Sequence, residues 1–220
     1  MMGRYQAVLF DLDGTLLDTL DDLTDSVNVI LKKYGFPLRD RKEIRRFLGN
    51  GSERLMKEAL PKDISEMDFA KYLKEYQAYY KAHMEEKTAP YEGILPLLGE
   101  LRKEGLKIGV VSNKFDPAVK GLCEKYFLGY IDAAAGEREA DGIRRKPAPD
   151  MVLSASKRLG VHPEDCLYVG DSEVDILTAK NAGMDCVSVT WGFRDAEFLR
   201  KAGAAHLIHT AEELRNFILQ

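Results

Sequence analysis

The chain has 220 residues, of which 45% are hydrophobic and 31% are charged, with a formal net charge of −4. This balance indicates a folded globular protein and gives no reason to expect a nucleic-acid or membrane partner. No apolar run reaches the roughly 18 residues of a membrane-spanning helix, and the first residues lack the pattern of a signal peptide. The three widely spaced cysteines, Cys123, Cys166 and Cys186, are expected to be buried thiols of a cytoplasmic protein.

The first predicted element is a buried strand that ends in two aspartates. The short run Ala7–Phe10 is apolar and partly β-branched or aromatic, which predicts a strand buried on both faces. Asp11 and Asp13 follow it, in the sequence DLDGT. Two neighbouring carboxylates repel each other and resist desolvation, so they indicate that a cation, hydrogen-bond donors or a substrate gathers around them.

Residues 17–84 are predicted to be entirely helical. Asp40 and Glu43 predict a capping box at the start of one helix, and Ser52 is predicted to begin the next. Ser65 opens the longest helix, whose apolar stripe we interpret as core rather than as a ligand site. The stripe consists of Phe69, Leu73, Tyr76 and Tyr80.

From about residue 94, helices alternate with strands, which predicts a parallel sheet covered on both faces. Strands are predicted over 106–111, 130–135, 166–169, 186–190 and 206–208, and Asp116 is predicted to cap a helix. The chain is therefore predicted to be an α/β protein. Residues 1–16 and 85–220 would form a Rossmann-like core domain, and residues 17–84 an inserted all-helical cap domain. Because the insert follows the two aspartates, it is expected to act as a lid over them.

Polar side chains follow four of the predicted strands. The carboxyl ends of parallel strands meet at one edge of a sheet, so these groups are expected to converge where the strand order reverses. Oxygen ligands without histidine or cysteine favour a hard cation, Mg²⁺ above all. A lysine beside such a cation suits a phosphate, and a carboxylate can attack phosphorus. The groups are Asp11 and Asp13, then Ser112, Asn113 and Lys114, then Lys146, and finally Asp171, Ser172 and Asp175.

The motifs DLDGT, SN, KPAP and GDSEVD together resemble those of the haloacid dehalogenase-like hydrolases, and the resemblance covers nearly the whole chain. It implies the haloacid dehalogenase fold with a helical cap. It implies that Asp11 is the nucleophile and Asp13 the general acid/base. Ser112 and Lys146 would be further catalytic residues that hold the transferring phosphoryl group and neutralise its charge. An acid at position 13 is typical of phosphatases of the family rather than of dehalogenases.

The same resemblance implies Mg²⁺ as the cofactor. Its ligands would be Asp11, Asp171 and the backbone carbonyl of Asp13, supported by Asp175 and Ser172. The other residues expected to bind phosphate or substrate are Gly14, Thr15, Asn113, Lys114, Gly49, Asn50, Gly51 and Arg54.

Within the family, the sequences VVSNK, GDSEVDILTAKNAGM and VTWGFR are most similar to phosphoglycolate phosphatases. The resemblance therefore implies 2-phosphoglycolate as the substrate. The positions of Arg54, Arg45, Arg46 and Lys114 in the sequence make these residues the candidate partners of its carboxylate. The alternatives are a pyrophosphatase, a sugar or nucleotide phosphatase, or a phosphomutase of the same superfamily. From another class, a phospho-accepting receiver-like domain stays open. The expected partner is a small phosphorylated metabolite, and the protein is expected to be a monomer or a homodimer.

Overall fold

The fold is a parallel β-sheet between two layers of helices, with a further group of helices inserted after the first strand. A computed structural model describes residues 4–220. The strands are β1 (Ala7–Phe10), β2 (Leu17–Asp18), β3 (Ala89–Pro90), β4 (Lys107–Phe115), β5 (Ala133–Glu137), β6 (Cys166–Gly170), β7 (Asp185–Val189) and β8 (Leu207–Ile208). The helices are α1 (Leu20–Lys33), α2 (Arg41–Phe47), α3 (Gly51–Ala59), α4 (Glu66–His83), α5 (Ile94–Lys103), α6 (Asp116–Phe127), α7 (Asp150–Leu159), α8 (Glu173–Ala182), α9 (Ala196–Lys201) and α10 (Ala211–Ile218).

The central sheet has the order β5-β4-β1-β6-β7-β8, and every neighbouring pair in it is parallel. The chain builds outward from β1 to β5 on one side and then from β6 to β8 on the other. The strand order therefore reverses between β1 and β6, which is where ligands bind in open sheets of this kind. This confirms the predicted α/β class.

Strand β1 lies at the centre of two hydrophobic cores. Val8 and Phe10 pack into one core and Ala7 and Leu9 into the other, and all four side chains are fully buried. Successive residues of a strand face opposite sides of the sheet, so burial on both faces explains why this run is apolar throughout. The backbone at the end of β1 is consequently held in place from both sides.

Helices α1 to α4 form the inserted segment, which leaves and rejoins the sheet through a two-stranded ribbon. Strand β2 pairs antiparallel with β3, with Leu17 opposite Pro90. The expectation that 17–84 is entirely helical is wrong at residues 17–18, because a two-residue strand carries no periodic signal. The buried Asp22 carboxylate, in α1, joins the two ends of the inserted segment, because it accepts hydrogen bonds from the backbone N–H of Lys87 and from Thr88 just before β3. The division into a cap of 17–84 and a core of the remaining residues stays a prediction.

Several predicted helix starts are confirmed, and others shift by one residue. Asp40 and Glu43 form the capping box at the start of α2, and Ser65 caps α4. Helix α3 begins at Gly51 rather than at Ser52. Asp116 is the first residue of α6 and not its cap, because its carboxylate accepts a hydrogen bond from the Gly136 N–H on the neighbouring strand.

Strands β6, β7 and β8 differ from their predicted limits by one residue at one or both ends, β4 and β5 differ by more, and two helices were not predicted. Strand β4 continues to Phe115 with a register shift after Val111, so the Ser-Asn-Lys motif lies within its irregular end rather than after it. Strand β5 begins at Ala133 instead of residue 130, because the N–H of Tyr130 closes a turn on the carbonyl of Phe127. Helices α9 and α10 were not predicted because both are too short to give a clear helical pattern in the sequence.

Two remaining expectations concern cysteines and membrane spans. Cys123 and Cys166 are buried, whereas Cys186 is partly exposed, so the expectation of three buried thiols is wrong for Cys186. Within residues 4–220, no helix combines the length and the apolar character needed to cross a bilayer.

Candidate active site

The predicted acidic residues meet at the carboxyl ends of β1 and β6. Asp11 follows β1 directly, and its N–H donates to the carbonyl of Val169 in β6 at 2.8 Å. Gly14 then turns the chain with φ +83°, a conformation that favours glycine. A Cβ at this position would also collide with the Asp171 carboxylate. The DLDGT motif therefore forms the end of β1 and then a turn at Gly14, whose backbone lies close to the Asp171 carboxylate.

Three carboxylates form a buried cluster at this point. Asp11, Asp171 and Asp175 each contribute one carboxylate oxygen to a group whose members lie within 4.8 Å of one another. Burial raises the pKa of Asp11 to about 7, with Asp175 and Asp13 adding to the rise and Lys146 opposing it. Burial also raises the pKa of Asp171 well above its ordinary value, and the charges of Asp175 and Asp11 add to this effect.

Lys146 is the central cation of the cluster. Its Nζ lies 2.9 Å from Asp11 Oδ1, 2.7 Å from Asp175 Oδ1 and 3.0 Å from the Tyr168 hydroxyl, and the residue is 2% exposed. Burial alone would lower the pKa of Lys146, but the charges of Asp11 and Asp175 raise it well above its ordinary value. Lys146 is therefore an ammonium held beside the Asp11 carboxylate.

Asn113 holds the Lys146 loop against the end of β4. The Asn113 Oδ1 accepts a hydrogen bond from the Lys146 N–H at 2.8 Å, and its Nδ2 donates to the Lys146 carbonyl at 3.0 Å. The same Nδ2 donates to the carbonyl of Gly49 in the inserted segment, at 3.1 Å. Asn113 thus aligns the lysine loop and contacts the helices above it.

Asp175 and Asp171 differ in how many of their hydrogen-bonding positions are used. Asp175 accepts from Lys146 and Tyr168 on one oxygen and from the N–H and hydroxyl of Ser172 on the other. Asp171 accepts one short bond from the Phe193 N–H at 2.6 Å, and the Thr15 hydroxyl lies 3.5 Å away. Asp171 therefore keeps free lone pairs that face Asp11, whereas Asp175 is fully engaged.

The donor set fits a hard divalent cation. The ligand atoms are all carboxylate oxygens, which Mg²⁺ prefers. Four acidic side chains, those of Asp11, Asp13, Asp171 and Asp175, surround the ammonium groups of Lys114 and Lys146, so the site has two negative charges in excess when all four carboxylates are ionised. Asp11 Oδ1 also accepts no well-aligned hydrogen bond from the described residues, although Lys146 lies close to it. A cation bound by Asp11 and Asp171 would offset this excess and favour the ionised carboxylates.

Asp13 faces away from this cluster and toward the inserted helices. Its Oδ1 accepts a hydrogen bond from the Thr19 hydroxyl at 2.6 Å and lies 2.8 Å from the Lys114 Nζ. The Ser112 hydroxyl is 3.5 Å from its other oxygen and also accepts from the Lys114 N–H. The Asp13 side chain therefore lines the cavity without belonging to the buried carboxylate cluster.

A small cavity of about 50 Å³ lies between this edge of the sheet and the inserted helices. Such a volume favours small ligands. The sheet side contributes Asp11, Asp13, Ser112, Asn113, Lys114, Asp171 and Ser172. The helical side is mostly apolar and contributes Leu23, Leu48, Leu55, Tyr76 and Tyr80, together with Gly49, Gly51 and Ser52.

Four of the predicted binding residues are absent from the lining of this cavity, namely Gly14, Thr15, Asn50 and Arg54. Gly14 and Thr15 lie against Asp171 instead. The Arg54 side chain is 58% exposed and pairs with Glu58 one turn further along α3. Asn50 is the residue before α3 and is absent from the lining of the cavity. Arg54 points away because the helix face that packs inward carries Leu55 and Met56 instead. Arg54 and Asn50 therefore lie outside the cavity in this structure, and their contact with the substrate stays a prediction.

Two arginines, Arg45 and Arg194, form a reciprocal clasp between α2 and the loop after β7. Arg45 donates to the carbonyls of Phe193 and Gly192, at 2.8 and 2.6 Å. Arg194 donates in return to the carbonyls of Arg45 and Leu48, at 3.2 and 3.0 Å. Because the Phe193 N–H binds Asp171, the clasp links the inserted helices to a carboxylate of the cluster.

Sequence reasoning missed several groups that shape the cavity. Tyr76 and Tyr80 belong to the stripe interpreted as core, and both are buried, but they also line the cavity. Phe193 and Arg194 line it as well, from the VTWGFR segment. The sequence identifies that segment only by its resemblance to the family, because it does not show that the loop after β7 reaches Asp171.

Fold and site together define an α/β enzyme with a carboxylate–lysine centre under a helical lid. Residues 8–189 match the family model described as haloacid dehalogenase-like hydrolase. A phosphoglycolate phosphatase from Nitrosococcus oceani is 30% identical over 225 residues, covering 100% of this chain and 99% of that protein. This chain belongs to the haloacid dehalogenase-like hydrolase family, which confirms the predicted resemblance.

Solved structures agree with this assignment over nearly the full length. A protein from Lactobacillus delbrueckii subsp. bulgaricus, provisionally described as a phosphoglycolate phosphatase, superposes with a TM-score of 0.91. It is 40% identical, and the match covers 98% of each chain. CbbY from Rhodobacter sphaeroides, solved in complex with phosphate, has a TM-score of 0.79 at 28% identity, with 96% of each chain covered.

Proposed function

We propose that this protein is a Mg²⁺-dependent phosphatase that hydrolyses a small phosphate monoester, with 2-phosphoglycolate as its substrate. The observation that carries the proposal is the buried Asp11–Lys146–Asp171 group at the switch point of the sheet, beneath a small cavity. Full-length relatives that bear the name phosphoglycolate phosphatase support this choice of substrate. The lid of helices argues against the receiver-like alternative, since a receiver has no inserted lid.

In the proposed reaction, an Asp11 carboxylate oxygen attacks phosphorus and the ester P–O bond breaks. Asp13 donates a proton to the departing oxygen, so that an alcohol leaves and an aspartyl-phosphate forms on Asp11. Asp13 then removes a proton from a water molecule that attacks the same phosphorus. The Asp11–phosphorus bond breaks, phosphate is released, and both aspartates return to their starting states.

The remaining residues hold charge and geometry during these steps. Lys146 neutralises the phosphoryl oxygens beside Asp11, and Asp175 orients Lys146 through the 2.7 Å contact. Ser112 would hydrogen-bond the transferring group through its hydroxyl, and Asn113 would assist by holding the Lys146 loop with its side chain. Mg²⁺, bound by Asp11, Asp171 and the Asp13 backbone carbonyl, would supply positive charge that offsets the dianion and keeps Asp11 ionised.

The proposal is tested by measuring phosphate release with and without Mg²⁺ from a panel of esters. The panel contains 2-phosphoglycolate, pyrophosphate, sugar phosphates and nucleoside monophosphates, with the Asp11→Asn protein as the control. We expect Mg²⁺-dependent release with the highest kcat/KM for 2-phosphoglycolate. A different preferred ester would keep the mechanism and replace the substrate. No release from any ester, by a folded and Mg²⁺-supplied protein, would contradict the proposal.

A further inference from the structure

The cavity contains a second polar position, on the side away from Asp11, where Lys114 meets Tyr80. Lys114 lies in the irregular end of β4, is 7% exposed and points toward the inserted helices. Its Nζ lies 4.6 Å from the centre of the Tyr80 ring and 2.8 Å from Asp13 Oδ1. The ammonium is thus held over an aromatic face, with a single carboxylate as its ion-pair partner.

The Tyr80 hydroxyl lacks a partner although it is buried. Tyr80 is 0% exposed, and its hydroxyl forms no hydrogen bond with any residue of the described chain. Burial raises the pKa of Tyr80 well above its ordinary value, and the charge of Asp13 adds to the rise, so the hydroxyl stays a neutral donor. Buried polar groups are nearly always paired in folded proteins, so the unpaired hydroxyl of a residue that borders the cavity is a hydrogen-bond donor still free for a ligand.

The other cations near the cavity are already committed. Lys146 is bound to Asp11 and Asp175. Arg194 is bound to Glu173 and to backbone carbonyls of the inserted segment. Lys114 is therefore the cation best placed to receive a second anion, and the surrounding Leu23, Leu55 and Tyr76 side chains offer that anion no competing charge.

We infer that Lys114 and Tyr80 form the subsite for the acidic group of the substrate, the ammonium as its counter-charge and the hydroxyl as its hydrogen-bond donor. This inference rests on the proposed function and names the residues that select its substrate class. The small size of the cavity favours a short ester, in which the carboxylate lies close to the phosphate. Arg54, which the sequence suggested for this role, lies outside the cavity.

The test compares two esters that differ in the acidic group alone. These are 2-phosphoglycolate and 2-hydroxyethyl phosphate, which has the same chain length and no carboxylate. The readout is the ratio of their kcat/KM values, because a general loss of activity or stability lowers both and leaves the ratio intact. Tyr80→Phe is expected to lower the ratio about tenfold, the effect of losing one hydrogen bond to a charged group. Lys114→Met is expected to lower it by about 100-fold.

Tyr72→Phe is the matched control. Tyr72 lies on the same helix and is equally a buried tyrosine, but it packs against Tyr34 and Phe36 and does not line the cavity. The ratio is expected to be the same in this variant as in the parent. If Lys114→Met fails to fold, Tyr80→Phe still decides the matter, since it removes a single oxygen atom.

The outcomes separate the subsite from the proposed function. A parent that prefers 2-phosphoglycolate, and variants that keep this preference, would overturn the subsite and leave the function standing. A parent that hydrolyses both esters equally would overturn the subsite and the substrate while leaving phosphatase activity. Hydrolysis of neither ester, with other phosphate esters also inert, would overturn the proposed function and the subsite with it.

Discussion

The sheet edge and the inserted helices contribute to the cavity in different ways. At the sheet edge, oppositely charged groups form ion pairs, as Lys146 does with Asp11 and Asp175. The helices present leucine and tyrosine side chains, with one unpaired hydroxyl on Tyr80. We therefore expect the sheet edge to carry the chemistry common to phosphate esters, and Lys114 together with the inserted helices to choose among these esters.

The largest effect is expected from Asp11→Asn. An amide oxygen is a poor nucleophile, so kcat should fall by a factor on the order of 10,000 or more for every ester hydrolysed. Phosphate release in Mg²⁺ would measure it, with a thermal melt to verify folding. If this variant still turned over any ester at a rate near that of the parent, the sheet edge would not carry the covalent chemistry.

A smaller loss of activity, with a marked loss of stability, is expected from Lys146→Met. Removing the ammonium leaves Asp11 and Asp175 as neighbouring buried carboxylates. Breaking such a buried pair costs about 3–5 kcal/mol of unfolding free energy, and losing one charge-stabilising group lowers kcat roughly 100- to 1,000-fold. Urea unfolding with and without Mg²⁺ would measure this, and we expect Mg²⁺ to restore part of the stability. A variant as stable as the parent would show that the cluster does not depend on Lys146.

Arg45→Ala should have an intermediate effect, because Arg45 joins the two regions. Without its bonds to the carbonyls of Gly192 and Phe193, the Phe193 N–H is less well held against Asp171. We expect kcat/KM to fall about tenfold, in line with the loss of two hydrogen bonds from a charged group. Trp191 is the single tryptophan of the chain and donates to the Thr15 carbonyl, so its fluorescence should report the change in this loop.

Arg46→Ala is the control for that variant. Arg46 is the next residue of α2 and is exposed, so its removal should leave both the kinetics and the Trp191 fluorescence as in the parent. Equal losses in the two variants would mean that charge on α2, and not the clasp, is what the site requires.

The smallest effect is expected from Arg54→Ala. Arg54 is exposed and paired with Glu58 on its own helix, and exposed pairs contribute little. We expect kcat/KM for 2-phosphoglycolate to change by less than about twofold. A specific loss for acidic esters, measured against 2-hydroxyethyl phosphate, would show that Arg54 turns into the cavity during turnover.

The sheet edge could be predicted from the sequence because its groups follow strands. An apolar run ending in Asp11 and Asp13 has a local pattern, and the topology of parallel strands brings Lys146 and Asp171 to the same place. No comparable rule of topology places the side chains of the inserted helices. Tyr80 has the spacing of a core residue and is one, yet it also faces the cavity, and only the packing of α4 against β4 reveals this. Arg54 comes shortly after the Gly-Asn-Gly break in the sequence, which suggests a contact with the ligand. The orientation of α3, however, leaves the Arg54 side chain exposed to solvent.

The most direct test of the covalent mechanism is a burst experiment with the Asp13→Ala protein and p-nitrophenyl phosphate. Nitrophenolate leaves without protonation, so the first step should proceed without Asp13, whereas hydrolysis of the aspartyl-phosphate still needs a general base. We predict a burst of one nitrophenolate per active site, followed by a steady rate roughly 100- to 10,000-fold below that of the parent. The burst should vanish when Asp11→Asn is added. A burst that survives this change, or linear release with no burst, would contradict an aspartyl-phosphate on Asp11.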